Sequence, residues 1–430
     1  MFKVFGNAWK VPELRKRMLF ALLVIVIYRL GANVMVPFID SADLHAAFSS
    51  ESVKGSMFGY FSMLAGDAFS NATLFALGVS PYITASIVIQ LLTIAIPALE
   101  RIAKSGPEGQ AKISRYTRYV TIALAIITSY GYYATLKSMG MIENKTWFAA
   151  IVIIACHTAG ACLVMWLGER IDEKGIGNGI SIILFVNIVS SGPALVTQMF
   201  EVIRQSNNIL ADLGGVLAAI VMMLVIITLV VFFSNSERRL PVQYAKRQVG
   251  RKMYGGANTH LPIKIMMGGV MPVIFASAIV SLPSTLALIF NGGAFEEWVK
   301  KWFSSQSIIY VVVMFALIIA FAYFYIAISF NTVEVANNLK ANGGTILGYR
   351  PGQPTAQYIQ KVVNRVTLIG ALFLSFMAIF PILMSWTGSP ALSMLVYGGT
   401  SVIIAVDVAL QTTRDIESET TMRHYKGFLG

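Results

Sequence analysis

Apolar runs of about 20 residues, repeated along the chain, constrain this sequence more than any other feature. A helix rises about 1.5 Å per residue, so such a run matches the ~30 Å hydrocarbon core of a bilayer. Ten runs read as spans, near residues 18–37, 73–97, 119–136, 147–168, 176–197, 213–233, 265–290, 308–330, 366–386 and 390–410. Hydrophobic residues make up 56% of the 430 and charged ones 13%, with a mean hydropathy of +0.69, which excludes an ordinary soluble domain. Met1 to Met18 is polar and basic, and the run after it lacks a short apolar core with a cleavage site. The first span is therefore expected to stay as an anchor.

Charge placement orients the chain. With the N-terminus inside, roughly 26 of the 33 Lys and Arg fall in cytoplasmic segments and about six outside. Both termini are expected in the cytoplasm. The segment around Trp9, with Lys10, Arg15, Lys16 and Arg17, has the composition of a short amphipathic helix on an anionic leaflet. Arg29 lies in the first span and is expected to face protein or snorkel, in a structural role.

The run Thr73 to Pro97, TLFALGVSPYITASIVIQLLTIAIP, reads as the organising helix. Val79, Ile83 and Ile87 recur every fourth position and form one stripe. Ser80, Thr84, Ser86 and Gln90 lie between them, and Pro81 reads as internal, removing a backbone hydrogen bond that neighbours must repair. Two readings stand: a bundle-core helix with small polar residues joining it to its neighbours, or a helix that lines a pore. Just before it, Ser56 to Ser70, SMFGYFSMLAGDAFS, is apolar but broken by Gly59, Gly66 and Asp67. It is too short to span, and reads either as a re-entrant half-helix or as a surface loop.

Elsewhere, aliphatics sit beside Gly, Ser or Pro in three further spans. The fifth opens with GIGNGIS at 175–181 and carries Ile180 and Leu184. The seventh has MPVIFASAIVSLP, with Ile274, Ser277 and Leu282, and the tenth has YGGTSVIIAVDVA, with Ile404 and Asp407. His157 and the cysteines 156 and 162 read as small or buried core residues, because a six-residue cysteine spacing suits neither zinc nor redox chemistry.

Two cytoplasmic loops, Ser234 to Lys264 and Asn331 to Arg365, are long for a tight bundle. The first has seven basic residues and one acidic, with Tyr244 and Tyr254 interleaved. Such loops suit RNA phosphates, anionic lipid or an acidic protein face. No nucleotide-binding, metalloprotease or serine-hydrolase motif occurs, and no cluster of intramembrane carboxylates suits an ion-coupled pump. The expected fold is thus an all-α polytopic membrane protein. Ten helices form two inverted halves of five, residues 1–200 and 201–430. That architecture leaves open a secondary transporter of a small solute, and no enzyme is expected.

ALGVSPYITASIVIQLLT, GIGNGISI, YAKRQVGRKMY with NTHLPIK, GYRPGQPTAQYI and YGGTS, in this order, resemble the SecY family of protein-translocation channel subunits. The resemblance covers essentially the whole chain. It implies a channel for unfolded preproteins in the bacterial inner membrane, without cofactor, that also releases apolar segments into lipid. The implied pore ring is Val79, Ile83, Ile87, Ile180, Leu184, Ile274 and Ile404, with Val79 and Leu184 standing where isoleucine is commonly expected. The broken segment 56–70 matches the plug, with Met57, Phe58, Phe61, Leu64 and Asp67. A lateral gate is implied between spans two and three and spans seven and eight, where Thr84, Ser86, Gln90, Ser277 and Leu282 lie. Arg251, Lys252 and Arg350 match the docking surface for the ribosome and the SecA motor. Further implied partners are the SecE and SecG subunits, signal peptides and preproteins, alongside the anionic lipids suggested by the basic N-terminus.

Overall fold

Each of the ten apolar runs carries a helix, with ends set largely by proline and glycine. The computed structural model describes residues 2–39, 68–142, 146–204, 209–244, 247–249, 252–254, 258–289, 294–303, 307–386 and 390–426. In chain order the helices are α1 (Phe2–Trp9), α2 (Pro12–Gly31), α3 (Ser80–Ala95), α4 (Pro97–Lys104), α5 (Pro107–Ser138), α6 (Trp147–Lys174), α7 (Gly179–Ser190), α8 (Gly192–Arg204) and α9 (Ile209–Asn235). After four strands, β1 (Glu237–Tyr244), β2 (Arg247–Val249), β3 (Lys252–Tyr254) and β4 (Asn258–Lys264), come α10 (Met271–Ile289), α11 (Ala294–Trp302), α12 (Ile308–Ser329) and α13 (Thr332–Ala341). Strand β5 (Gly344–Ile346) precedes α14 (Gln353–Ser385) and α15 (Pro390–Lys426). Among the described residues, five helices are long and apolar enough to cross a bilayer, or six if the bent pair α3–α4 is one span.

The organising helix is shorter than its apolar run. Residues 73–79 form turns, and α3 begins at Ser80. Pro81 therefore occupies the first helical turn, where its missing N–H would have had no partner, and it does not break a helix interior. Ile96 is extended (φ −110°, ψ 110°), as a residue before proline should be, and the chain bends by 104° into α4. The irregular backbone before α3 is satisfied by protein. Leu74 N–H donates to the Val34 carbonyl (2.8 Å), Val36 N–H to Ala72 (3.2 Å), and the buried Tyr132 hydroxyl to Phe69 (2.6 Å). Non-helical backbone at membrane depth requires such partners. Gly160 of α6 lies so close to the Leu74 carbonyl that a Cβ there would collide with it.

Packed helices close a cycle. α3 packs on α5, α5 on α6, α6 on α7, α7 on α15, α15 on α14, α14 on α12, α12 on α10, and α10 on both α3 and α5. α9 lies against α15, and α1 docks on the same long helix, where Ala8, Leu14, Ile176 and Ile416 form a small apolar cluster. This packing ties down an N-terminal segment expected to lie on the leaflet alone. Phe5, Trp9 and Lys10 stay exposed.

The two long loops form a shared module with strands that the sequence reading missed. β1 pairs antiparallel with β4 and, on its other edge, with β5, in the order β4-β1-β5. The signal was an alternation of apolar residues: Leu240 and Val242 on β1, Leu261 and Ile263 on β4. Leu240, Val242, Ile263 and Ile346 pack on Ala336 of α13 and on Ala356, Ile359 and Val363 of α14.

Candidate functional site

The seven aliphatics expected to form the ring come from four helices and share one buried core. Val79 caps α3, which carries Ile83 and Ile87, while Ile180 and Leu184 belong to α7, Ile274 to α10 and Ile404 to α15. All seven lie in the same buried apolar cluster, and each is between 2% and 9% exposed. α7 is capped by Asn178, whose side chain accepts from Ser181 N–H (3.0 Å) and so starts the helix at Gly179, one residue before Ile180. Buried, uncharged branched side chains offer no ligand to an ion or to any particular peptide sequence. They exclude water and deform.

The seam between spans two and seven is closed, α10 packing on α3 and α5. Thr84, Ser86 and Gln90 are half-buried on α3, Ser277 is buried on α10, and Leu282 is half-buried. The polar contacts differ from the expectation of bonds across the seam. The Thr84 hydroxyl donates to the Ser80 carbonyl of its own helix (3.1 Å), and the Gln90 amide donates to Ser86 Oγ (3.2 Å). Hydroxyls that bond four residues back leave a helix face less adhesive toward its neighbour.

Met57, Phe58, Phe61, Leu64, Asp67 and Arg251 lie outside the described residues. Lys252 is in β3. Arg350 is exposed at the crest of the loop between β5 and α14, beside Leu347 and Tyr349. Tyr349 stacks on Tyr358 with ring centroids 4.1 Å apart, and the Arg350 carbonyl accepts from the Thr355 hydroxyl (2.7 Å). Gly348 and Gly352 flank the crest with φ of +84° and +106°, values that favour glycine. At the root of the module, desolvation, together with the charge of Arg414, holds the Lys264 ammonium below the usual lysine range. Among the described residues no group of His, Cys, Asp or Glu is arranged to hold a metal ion.

The described site also contains a feature that sequence reading passed over. Asp407, a charge within the apolar run of α15, is 4% exposed and accepts from Ser234 Oγ (3.1 Å) and from Val270 N–H (3.2 Å). The available signal was the carboxylate itself, because a buried intramembrane acid implies a partner.

Comparison with known proteins accords with this architecture. The SecY family model matches residues 73–413. The protein translocase subunit SecY of Streptomyces coelicolor is 42% identical, and that of Mycobacterium tuberculosis 39%, each alignment covering 100% of both chains. Among solved structures, one described as a protein conducting channel superposes with a TM-score of 0.69 over 96% of each chain, at 17% identity. Sec61 in a canine ribosome-channel complex gives 0.65, also over 96% of each, at 16% identity. These two likenesses establish the fold, whereas the family follows from the sequence matches: this multi-pass membrane chain belongs to the SecY family.

Proposed function

We infer that the chain is the pore-forming subunit of a protein translocase, a passive conduit for unfolded preproteins powered by its partners and not an enzyme. The observation that carries this reading is the closed cycle of helices around an apolar centre to which α3, α7, α10 and α15 each contribute. A gated aqueous path needs a seal that opens without a bound ligand, and a ring of branched aliphatics supplies one. The lateral exit follows from transfer energetics. An apolar segment of about 20 residues gains free energy on leaving the pore for lipid, and the α3–α10 face is where it would leave.

Within this reading Val79, Ile83, Ile87, Ile180, Leu184, Ile274 and Ile404 are the ring. The seam of α3 and α5 against α10 and α12 is the gate, and residues 56–70 are the plug. The chain divides into halves at residues 200/201, both termini face the cytoplasm, and the membrane is the inner one. Arg251, Lys252 and Arg350 mark the docking face for SecA and the ribosome, consistent with the ribosome-bound state of the similar canine channel. SecE and SecG complete the assembly, and the exposed face of α1 meets anionic lipid.

The test is reconstitution in proteoliposomes with SecE and SecG, with and without SecA and ATP. Protease-protected preprotein that requires the motor supports the reading. Solute uptake driven by an ion gradient, without preprotein transport, would overturn it in favour of a transporter.

A further inference from the structure

Asp407 joins three elements: the end of α9, the turn before α10, and α15. Its Oδ1 accepts from the Ser234 hydroxyl at the end of α9, and its Oδ2 from the Val270 N–H just before α10. Ser234, Val270 and Asp407 are all at most 4% exposed, so neither bond competes with water. The connection runs directly into the ring. Val270 passes the constraint on through its carbonyl, which accepts from the N–H of Ile274 (3.1 Å). On the other side, Ile404 precedes Asp407 by three residues on α15, about one helical turn. Backbone geometry is fitted to the contact as well. Gly269 has φ +55°, and a Cβ there would lie 2.8 Å from Asp407 Oδ2, so the approach of Val270 to the carboxylate depends on glycine.

The same knot holds both roots of the cytoplasmic hairpin. Arg414, two turns beyond Asp407 on α15, donates to the Ser234 carbonyl (2.6 Å) and to Asn235 Oδ1 (2.7 Å), while Ile265 N–H donates to the Ser236 carbonyl (3.0 Å). Chain entering β1 and chain leaving β4 toward α10 are therefore fixed at one point of α15.

We propose that Asp407 is a positioning residue that holds Ile274 and Ile404 together in the closed constriction. The proposal rests on the reading of those two residues as part of the ring. A carboxylate serves because it offers two acceptors, one for each of two donors on different elements. Loss of the side chain leaves the Val270 N–H and the Ser234 hydroxyl buried without that partner and frees α10 to shift against α15.

The experiment measures resting ion conductance of the complete complex in planar bilayers, with thermal stability and assembly yield recorded for each variant. Asp407→Ala should raise conductance about tenfold, the shift expected from losing a hydrogen bond to a charged group. Ser234→Ala removes one hydroxyl and should raise it about threefold, which keeps the proposal testable if Asp407→Ala assembles poorly. Asp407→Asn should stay within about twofold of wild type, because its carbonyl can accept from Val270 and its amide can donate to Ser234 Oγ. Wild-type conductance in both Asp407→Ala and Ser234→Ala, or an Asp407→Asn channel as leaky as Asp407→Ala, would overturn it. Ile404→Asn is the control for the underlying reading. If Ile404→Asn leaks while the Asp407 and Ser234 variants stay sealed, the clasp is wrong and the ring stands. If Ile404→Asn stays sealed, the ring itself is wrong and the proposal falls with it.

Discussion

Helices α7 and α9 are both apolar, and they occupy opposite surroundings. α7 is 12 residues long and buries Gly179, Ser181 and Asn187 together with Ile180 and Leu184. α9 has 27 residues, an almost unbroken aliphatic core, and exposes Leu217, Val221, Leu224 and Phe232. α12 behaves like α9, with Ile308 and Val312 facing outward. In a soluble protein two helices so alike in apolarity would both be buried. Here lipid rewards outward apolar surface, so burial is decided by packing and by polar groups that need protein partners. At about 18 Å, α7 is too short to cross the hydrocarbon core alone, and α6 and α15 pack against it.

The largest expected effect separates the two regions. Ile83→Asn and Ile404→Asn put an amide into the proposed ring and should raise resting conductance about tenfold or more, together with export of substrates that carry weakened signals. The same change at Leu224, on the outward face of α9, should cost insertion efficiency and leave conductance unchanged. Equal conductance in all three would erase the distinction between inner and outer helices.

Next in size is Gly160→Val. The added carbons meet the Leu74 carbonyl, so overpacking of about 1–3 kcal/mol should lower thermal stability, whereas Gly214→Ala on α9, where a Cβ has open space, should be nearly silent. A thermal-shift assay on the purified complex reads both.

Arg350→Glu sharpens the contrast between the apolar helices and the strand module. The residue is exposed, so folding should change by less than about 0.5 kcal/mol while motor-driven transport falls. Normal ATP-driven transport and unchanged SecA affinity would remove Arg350 from the docking face.

Smallest is Glu419→Gln, which removes the partner of Arg17 (3.1 Å) between α2 and the C-terminal part of α15. Both side chains are partly exposed, so the loss should stay below about 1 kcal/mol and shrink further in salt. A larger loss would mean that docking of the N-terminal region on α15 depends on this pair.

Much of this was legible in the sequence, and what escaped it has physical reasons. Four-residue spacing set Val79, Ile83 and Ile87 on one stripe, and their burial together is what that spacing implies. The start of α3 escaped because apolarity alone cannot separate a helix from buried turns, and Pro81 suits a first turn better than an interior. Strand β5 escaped because three residues, Gly344–Ile346, carry no period of their own and pair with a strand about 100 positions earlier. Asp407 was visible as a charge in an apolar run, but its donors lie 173 and 137 residues away, beyond any local pattern.

The central claim, that the cluster of α3, α7, α10 and α15 is the path of the translocating chain, is tested most directly by photo-crosslinking. A photoreactive residue is placed at Ile83, Ile274 or Ile404 and, as outward controls, at Leu224 or Val312. A preprotein is then arrested halfway by a folded domain at its C-terminus. The account predicts preprotein adducts from the three inner positions, dependent on SecA and ATP, and lipid adducts alone from the two outer ones. Preprotein adducts from Leu224 or Val312, with none from Ile83, Ile274 and Ile404, would contradict it.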